Sequence, residues 1–187
     1  MQVIQSTPFP IFLESPEDSF SLKAFNAEQA ESLWALIISD RHSPERKHSW
    51  PGASDLSSLR DYLKACDIEN PLADEIGYCL FFKNQIIGSF HIHSVSWKNR
   101  RLEVGYWLHF EFEGQGLISK ALKMIENHLQ SMGFHRIEIR CDPANQKSCG
   151  VAESNDYCLE GTLQDHEIVL GQFKNTALYA KIFPEQT

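Results

Sequence analysis

Residues Val104–Ala121 read VGYWLHFEFEGQGLISKA. An apolar, aromatic run gives way to Gly114-Gln115-Gly116, and an amphipathic pattern begins directly after it. This predicts a strand that delivers the chain into a helix through a two-glycine turn. Glycine adopts φ above zero and lets a ligand approach the backbone with no Cβ in the way. A helix start adds N–H groups without intrahelical acceptors and the positive end of the dipole. The combination suits a pyrophosphate. Neither the Rossmann fingerprint nor the P-loop is present: no third glycine stands three residues after Gly116, and no Gly-Lys-Ser/Thr follows. Glu111 and Glu113 flank the turn, so backbone amides must hold any phosphate.

Outward from the turn, Gly116–Met132 reads as the strongest helix. Ile118, Leu122, Ile125, Leu129 and Met132 fall at helical spacing, and Gly133 sits where a C′ glycine belongs. Upstream, Tyr78–Phe82 and Gln85–Trp97 are strands joined by Lys83-Asn84, and Arg101–Phe110 follows a turn at Asn99-Arg100. Earlier still come a strand at Ser19–Phe25, a helix over Glu28–Ile38 capped by Asn26, a loop over Asp40–Ala53, and a helix over Leu56–Cys66. Downstream, Arg136–Cys141 is a strand and Asn145 caps a helix running to Asn155. Cys158–Asp165 and Phe173–Phe183 form a closing hairpin. The alternation of strand and helix in the second half implies a parallel pair at the centre of a mixed sheet. No linker is long enough to split the 187 residues, so one domain spanning 1–187 is expected.

Composition narrows the function. Hydrophobic residues make up 42% and charged residues 22%, as in ordinary globular chains. The formal net charge is −8 with no basic stripe, which argues against duplex nucleic acid as the main partner. No apolar run reaches membrane-spanning length, and the N-terminus lacks the basic start of a secretory signal. The five cysteines, Cys66, Cys79, Cys141, Cys149 and Cys158, are odd in number and irregular in spacing. That pattern fits reduced thiols in the cytoplasm. His91-Ile92-His93 brings two imidazoles to one strand face, but no motif supplies a third ligand, so no metal site is expected.

The ordered motifs resemble the GNAT acetyltransferases, in particular the RimJ/RimL branch of protein N-terminal acetyltransferases. EVGYWL (Glu103–Leu108), EGQGLISKAL (Glu113–Leu122), FHRIEIRCD (Phe134–Asp142), NQKS (Asn145–Ser148), LEGTLQDHE (Leu159–Glu167) and LYAKI (Leu178–Ile182) carry the resemblance. It implies an α+β, α/β/α-layered fold: a mixed, mostly antiparallel sheet with a splayed central parallel pair and flanking helices. It also implies acetyl-CoA as cosubstrate. The loop Glu113, Gly114, Gln115, Gly116, with Leu117 and Ile118, would hold its pyrophosphate. Pantetheine would pair with the Trp107–Leu108 backbone, and Asn145 would contact the cofactor arm. The resemblance further places Ser148, Cys141 and Glu167 at or near the reaction centre. It implies a protein N-terminus, that of a ribosomal stalk protein, as acceptor, with a homodimer as the assembly; a small amine such as a polyamine is the alternative acceptor, and a CoA-binding module without turnover is a third reading. Departures are Asp156-Tyr157 where the family has Gly-Phe, and Leu170-Gly171 with Asn175 in the last hairpin.

The chemistry assigns roles to these residues. Amine attack on a thioester needs a neutral amine, a stabilised oxyanion and a proton for the leaving thiolate. An α-amino group has a pKa of about 7.7–8.0, so a carboxylate must take its proton. Glu167 is the first choice and Glu103 a second base or a fixing group. The Trp107 and Leu108 amides can serve as oxyanion donors. Ser148, one helical turn from Asn145, is the candidate proton donor to the thiolate. Cys141 can be a nucleophile, but a buried strand cysteine favours direct transfer. The loop Arg41–Pro51, carrying Trp50, is the expected substrate lid.

Overall fold

The computed structural model describes residues 9–41, 53–68, 75–169 and 171–184. The strands are β1 (Phe12–Glu14), β2 (Phe20–Ala24), β3 (Glu75–Phe82), β4 (Gln85–Ser96), β5 (Arg101–Leu108), β6 (Arg136–Cys141), β7 (Cys158–Val169) and β8 (Gln172–Ile182). The α-helices are α1 (Ala30–Arg41), α2 (Leu56–Ala65), α3 (Leu117–Ser131) and α4 (Gln146–Ser154). Among the described residues the strands form one mixed sheet in the order β1-β2-β3-β4-β5-β6-β8-β7. Pairs β1–β2, β2–β3, β6–β8 and β7–β8 are antiparallel, while β5–β6 is parallel. The fold is therefore the expected α+β class with one parallel pair.

The chain divides into two compact units, each built from two stretches of sequence. One takes the residues up to Ile92 and Tyr106–Met124; the other takes His93–Gly105 and the residues from Ile125 onward. The first has a core of Phe25, Leu33, Ile37, Leu59, Leu63, Cys79 and Trp107. Helix α1 is led by a 3₁₀ turn at Ala27–Gln29, where Asn26 and Gln29 form a capping box. The β3–β4 connection is a two-residue turn with positive φ at Lys83 (51°) and Asn84 (64°), the geometry that matches strand twist. In the second unit Leu102, Ile125, Leu129, Ile137, Ile139 and Ala152 are buried. All five helix positions singled out by spacing, from Ile118 to Met132, are buried, and Gly133 closes α3 at φ 85°.

Several boundaries differ from the sequence reading. The strand expected over Arg101–Phe110 ends at Leu108, because His109 turns the chain into a 3₁₀ turn at Phe110–Phe112. Strand β1 carries no alternation long enough to be read. Strand β7 runs past the expected Asp165 to Val169, absorbing a register shift between Leu163 and Glu167 where Asp165 takes φ 48°. It is exposed along its whole length. The departure Asp156 occupies φ 64°, which Asp tolerates better than most residues. The expected lid segment, Trp50 included, and Leu170 lie outside the described residues apart from Arg41 at the end of α1. No described helix is long and apolar enough to cross a membrane.

Candidate functional site

In the first unit, β5 ends on Trp107 and Leu108, both buried. Gly88 of β4 faces this end closely: a Cβ there would come within 2.2 Å of the Trp107 carbonyl oxygen. Beyond Leu108 every N–H of the turn has a protein acceptor. His109 donates to the Ile87 carbonyl (2.9 Å), Phe110 to Asp40 Oδ1 (3.1 Å) and Glu111 to His109 Nδ1 (3.3 Å). Phe112 donates to the His109 carbonyl (3.0 Å) and Glu113 to that of Phe110 (3.2 Å). The pattern then changes. Among the described residues no acceptor takes the N–H groups of Gly114, Gln115 or Gly116, and these three residues are exposed. Gly114 and Gly116 have φ of 72° and 70°, with open space where a Cβ would stand. Leu117 and Ile118 are buried and anchor the start of α3. Glu111 turns its carboxylate to solvent. A backbone cradle with open approach and a helix start behind it fits a diphosphate.

In the second unit, the parallel register sets Glu103 of β5 beside Glu138 of β6. The pairing ends at Val104–Ile139, although β6 continues through Arg140 to Cys141. Two buried carboxylates on adjacent strands need cations. Glu138 sits 2.8 Å from Arg136 Nε, 3.2 Å from Arg140 Nη2 and 3.6 Å from Arg101 Nη1. Burial opposes its ionisation, but Arg136 and Arg140 outweigh that and hold its carboxyl below the ordinary range. Glu103 is less well provided. Arg140 Nε lies 3.3 Å from Glu103 Oε2 as an ion pair but makes no hydrogen bond, and His93 Nε2 is 3.8 Å from Oε1. Burial pushes the Glu103 pKa up; His93 and Arg140 act against it, while Glu138 and Glu167 reinforce it.

The other expected residues of this unit fall into two places. Asn145 caps α4, its Oδ1 accepting from the Ser148 N–H at 3.1 Å. Cys141 Sγ is 3.7 Å from Cys149 Sγ. Burial pushes the Cys141 thiol up to about 12, the Cys149 thiol adds to this, and a hydrogen bond with Ser148 opposes it. Glu167, by contrast, lies on exposed β7, 3.9 Å from His166 Nδ1, with its side chain 55% exposed. The two histidines of the HIH sequence part company. His91 is buried in the first unit, bonded to Tyr62 and Ser89 and 2.5 Å from Glu75 Oε1, while His93 serves Glu103. No group of three or more described His, Cys, Asp or Glu side chains could hold a metal ion. The partnership of Arg140, Glu138 and His93 with Glu103 escaped the sequence reading, because it takes strand pairing to bring them together. The alternation of Glu138 with Arg136 and Arg140 in RIEIRC was the available signal.

The first unit thus carries an open backbone cradle, and the second a buried carboxylate of raised proton affinity. Comparison with known proteins identifies the family. The model of the acetyltransferase (GNAT) domain matches residues 20–157, and the chain belongs to this family. The ribosomal-protein-serine acetyltransferase of Escherichia coli (strain K12) is 29% identical over 174 residues, covering 90% of this chain and 96% of that protein. The structure of the microcin self-immunity acetyltransferase MccE, solved with acetyl-CoA and AMP, has a TM-score of 0.81 and 25% identity, over 89% of this chain and 94% of its own. The Salmonella typhimurium acetyltransferase that modifies the N-terminal serine of a 50S ribosomal subunit protein shares the fold. Its TM-score is 0.81 at 24% identity, covering 94% and 99% of the two chains. The protein is an acetyl-CoA-dependent N-acetyltransferase related to the ribosomal-protein acetyltransferases.

Proposed function

We propose that the protein acetylates the α-amino group of an N-terminal serine on a ribosomal protein, by direct transfer from acetyl-CoA. The likeness to the Escherichia coli ribosomal-protein-serine acetyltransferase, which runs through nearly the whole of both chains, carries this reading. Residues 1–187 act as one acetyltransferase domain, a reading supported by a family match that includes residues of both units. The N–H groups of Gly114–Gly116 and the first turn of α3 hold the pyrophosphate. Glu113, Gln115, Leu117 and Ile118 shape that turn. Pantetheine runs along the Trp107–Leu108 end of β5, and these amides stabilise the oxyanion. Asn145 turns its amide nitrogen to the cofactor arm while its oxygen caps α4.

Glu103 takes the proton of the incoming ammonium. Its burial supports this choice over Glu167, since a base works best when its pKa lies close to the operating pH. The neutral amine attacks the thioester carbon, the N–C bond forms, and the C–S bond breaks. Ser148 passes its hydroxyl proton to the departing CoA sulfur and takes back the remaining extra proton of the attacking nitrogen, which leaves the neutral amide and CoA-SH. Ser148→Ala is expected to lower kcat by about 10²–10³ with acetyl-CoA binding unchanged; an equal loss of binding would move Ser148 to a structural role. The raised pKa of Cys141 leaves it protonated at neutral pH, so Cys141→Ala should retain most activity. Near-total loss would instead point to an acetyl-cysteine intermediate.

The deciding experiment incubates the protein with acetyl-CoA and unacetylated ribosomal stalk protein and follows both intact masses. One acetyl group on the stalk protein's N-terminus is the expected result. None there, with acetyl-CoA bound, overturns the acceptor and turns the search to small amines such as polyamines, or to a CoA-binding module without turnover. Five free thiols support a cytoplasmic enzyme, and the family likeness supports a homodimer, which sedimentation velocity tests.

A further inference from the structure

The stretch that forms the cradle carries no cation in its own sequence. From Phe110 to Ser119 the chain reads FEFEGQGLIS, with two acids and no Lys or Arg. The nearest lysine in sequence, Lys120, is engaged in an ion pair with Asp18. Affinity for the diphosphate therefore depends on where backbone N–H groups point, and so on what fixes the turn before Gly114.

Two buried polar residues fix it. Asp40 of α1 is fully buried, and its Oδ1 accepts the Phe110 N–H at 3.1 Å. His109 is 2% exposed and holds the turn from within. Its Nδ1 accepts the Glu111 N–H at 3.3 Å, so the ring proton sits on Nε2 and is donated to Ser39 Oγ, 3.0 Å away on α1. The Ser39 hydroxyl in turn donates a hydrogen bond to the Leu36 carbonyl at 2.8 Å. Gln115 closes the turn from the far side, its Nε2 donating to the Glu111 carbonyl at 3.2 Å. Glu111 is thus clamped at both backbone groups, one residue pair upstream of the cradle.

We propose that His109 and Asp40 are positioning residues for the cofactor: by bonding the turn Phe110–Phe112 to α1, they set the direction of the Gly114–Gly116 N–H groups and hence the affinity for the diphosphate of CoA. The proposal rests on the reading of Gly114–Gly116 as the diphosphate cradle. It separates the two parts of the ligand. The diphosphate contribution depends on the clamp, and the pantetheine contribution does not.

The test measures dissociation constants of the full-length protein for CoA and for pantetheine, which lacks the diphosphate. His109→Ala and Asp40→Ala are expected to weaken CoA about tenfold, with pantetheine affinity unchanged. His109→Asn should recover most of the loss, because an Asn oxygen at this cap position accepts the same N–H. Equal losses for both ligands, no loss for either, or a His109→Asn variant as weak as His109→Ala overturns the proposal. If the alanine variants do not fold, Ser39→Ala and Asp40→Asn carry the test. Ser39→Ala should weaken CoA about threefold, the effect of one lost hydrogen bond, and Asp40→Asn should bind nearly as wild type; unchanged CoA binding in Ser39→Ala then counts against the proposal. Gly116→Val tests the underlying reading separately. Normal CoA binding by that variant removes the cradle itself. Lost binding in Gly116→Val beside normal binding in the clamp variants removes only the positioning role.

Discussion

Glu103→Gln is expected to lower kcat by about 10²–10⁴ while acetyl-CoA binds as before. Gln keeps the shape and loses the proton acceptor. The pH profile gives an independent check. A base works deprotonated, so kcat rises with pH through the pKa of Glu103 in the bound complex. Because burial raises that pKa, the rising limb lies above the ordinary carboxylate range. Its neighbours then move the limb in predictable directions. Glu138→Gln removes a negative charge that favours protonation of Glu103, and the limb shifts to lower pH. Arg140→Gln removes a positive charge that opposes protonation, and the limb shifts to higher pH. The acceptor amine also titrates, but neither substitution alters it, so the shifts report on Glu103. Retained activity in Glu103→Gln, or a limb that stays in place in both neighbour variants, would sink the assignment and return Glu167 to first place.

Gly116→Val is expected to weaken acetyl-CoA by about 100-fold or more, close to 2.8 kcal/mol at 1.4 kcal/mol per tenfold. Two effects combine. A residue at φ 70° is comfortable only as glycine, and a β-branched side chain is among the worst substitutes. The new side chain would also fill the open face by which phosphate oxygens approach. Among the described residues, chain neighbours apart, no atom lies within 4 Å of the would-be Cβ, so the lost affinity is not a side-chain repacking effect. Gly133→Ala is the control. It has φ 85°, equally open space and a place at the other end of α3, so it should lower Tm by a few degrees and leave acetyl-CoA binding intact. Calorimetric titration with acetyl-CoA beside thermal melts of both variants decides the matter.

The two predictions draw on information of different visibility. Gly114-Gln115-Gly116 was legible because the signal is local: a period changes from strand to helix, and glycines mark the change. The parallel pair and the position of α3 followed from the same pattern. Glu103 was visible as a residue but not as an environment. Its burial arises because β5 is an interior strand, and its partners come from residues 10 to 37 positions away through register and ion pairing. His109 was hidden more thoroughly. As one histidine among aromatics it reads as the last part of a strand, and only the approach of α1 turns it into a clamp. Glu167 shows the opposite case: its motif is plain in the sequence, while its exposure is set by the outermost position of β7.

That position of β7 bears on how the protein survives at high concentration. An outer strand of twelve residues, solvent-covered throughout and carrying Leu159, Leu163, Ile168 and Val169, is a template for pairing with another chain. Its acids at Glu160, Asp165 and Glu167 and its two register breaks are the features that discourage such pairing. Glu160 also forms a bidentate ion pair with Arg136, which fixes the charge at the rim. Replacing the three acids with threonine would leave strand propensity intact and remove the repulsion, and fibril growth in storage would follow. The residue first read as a proton acceptor is thereby also a gatekeeper against aggregation.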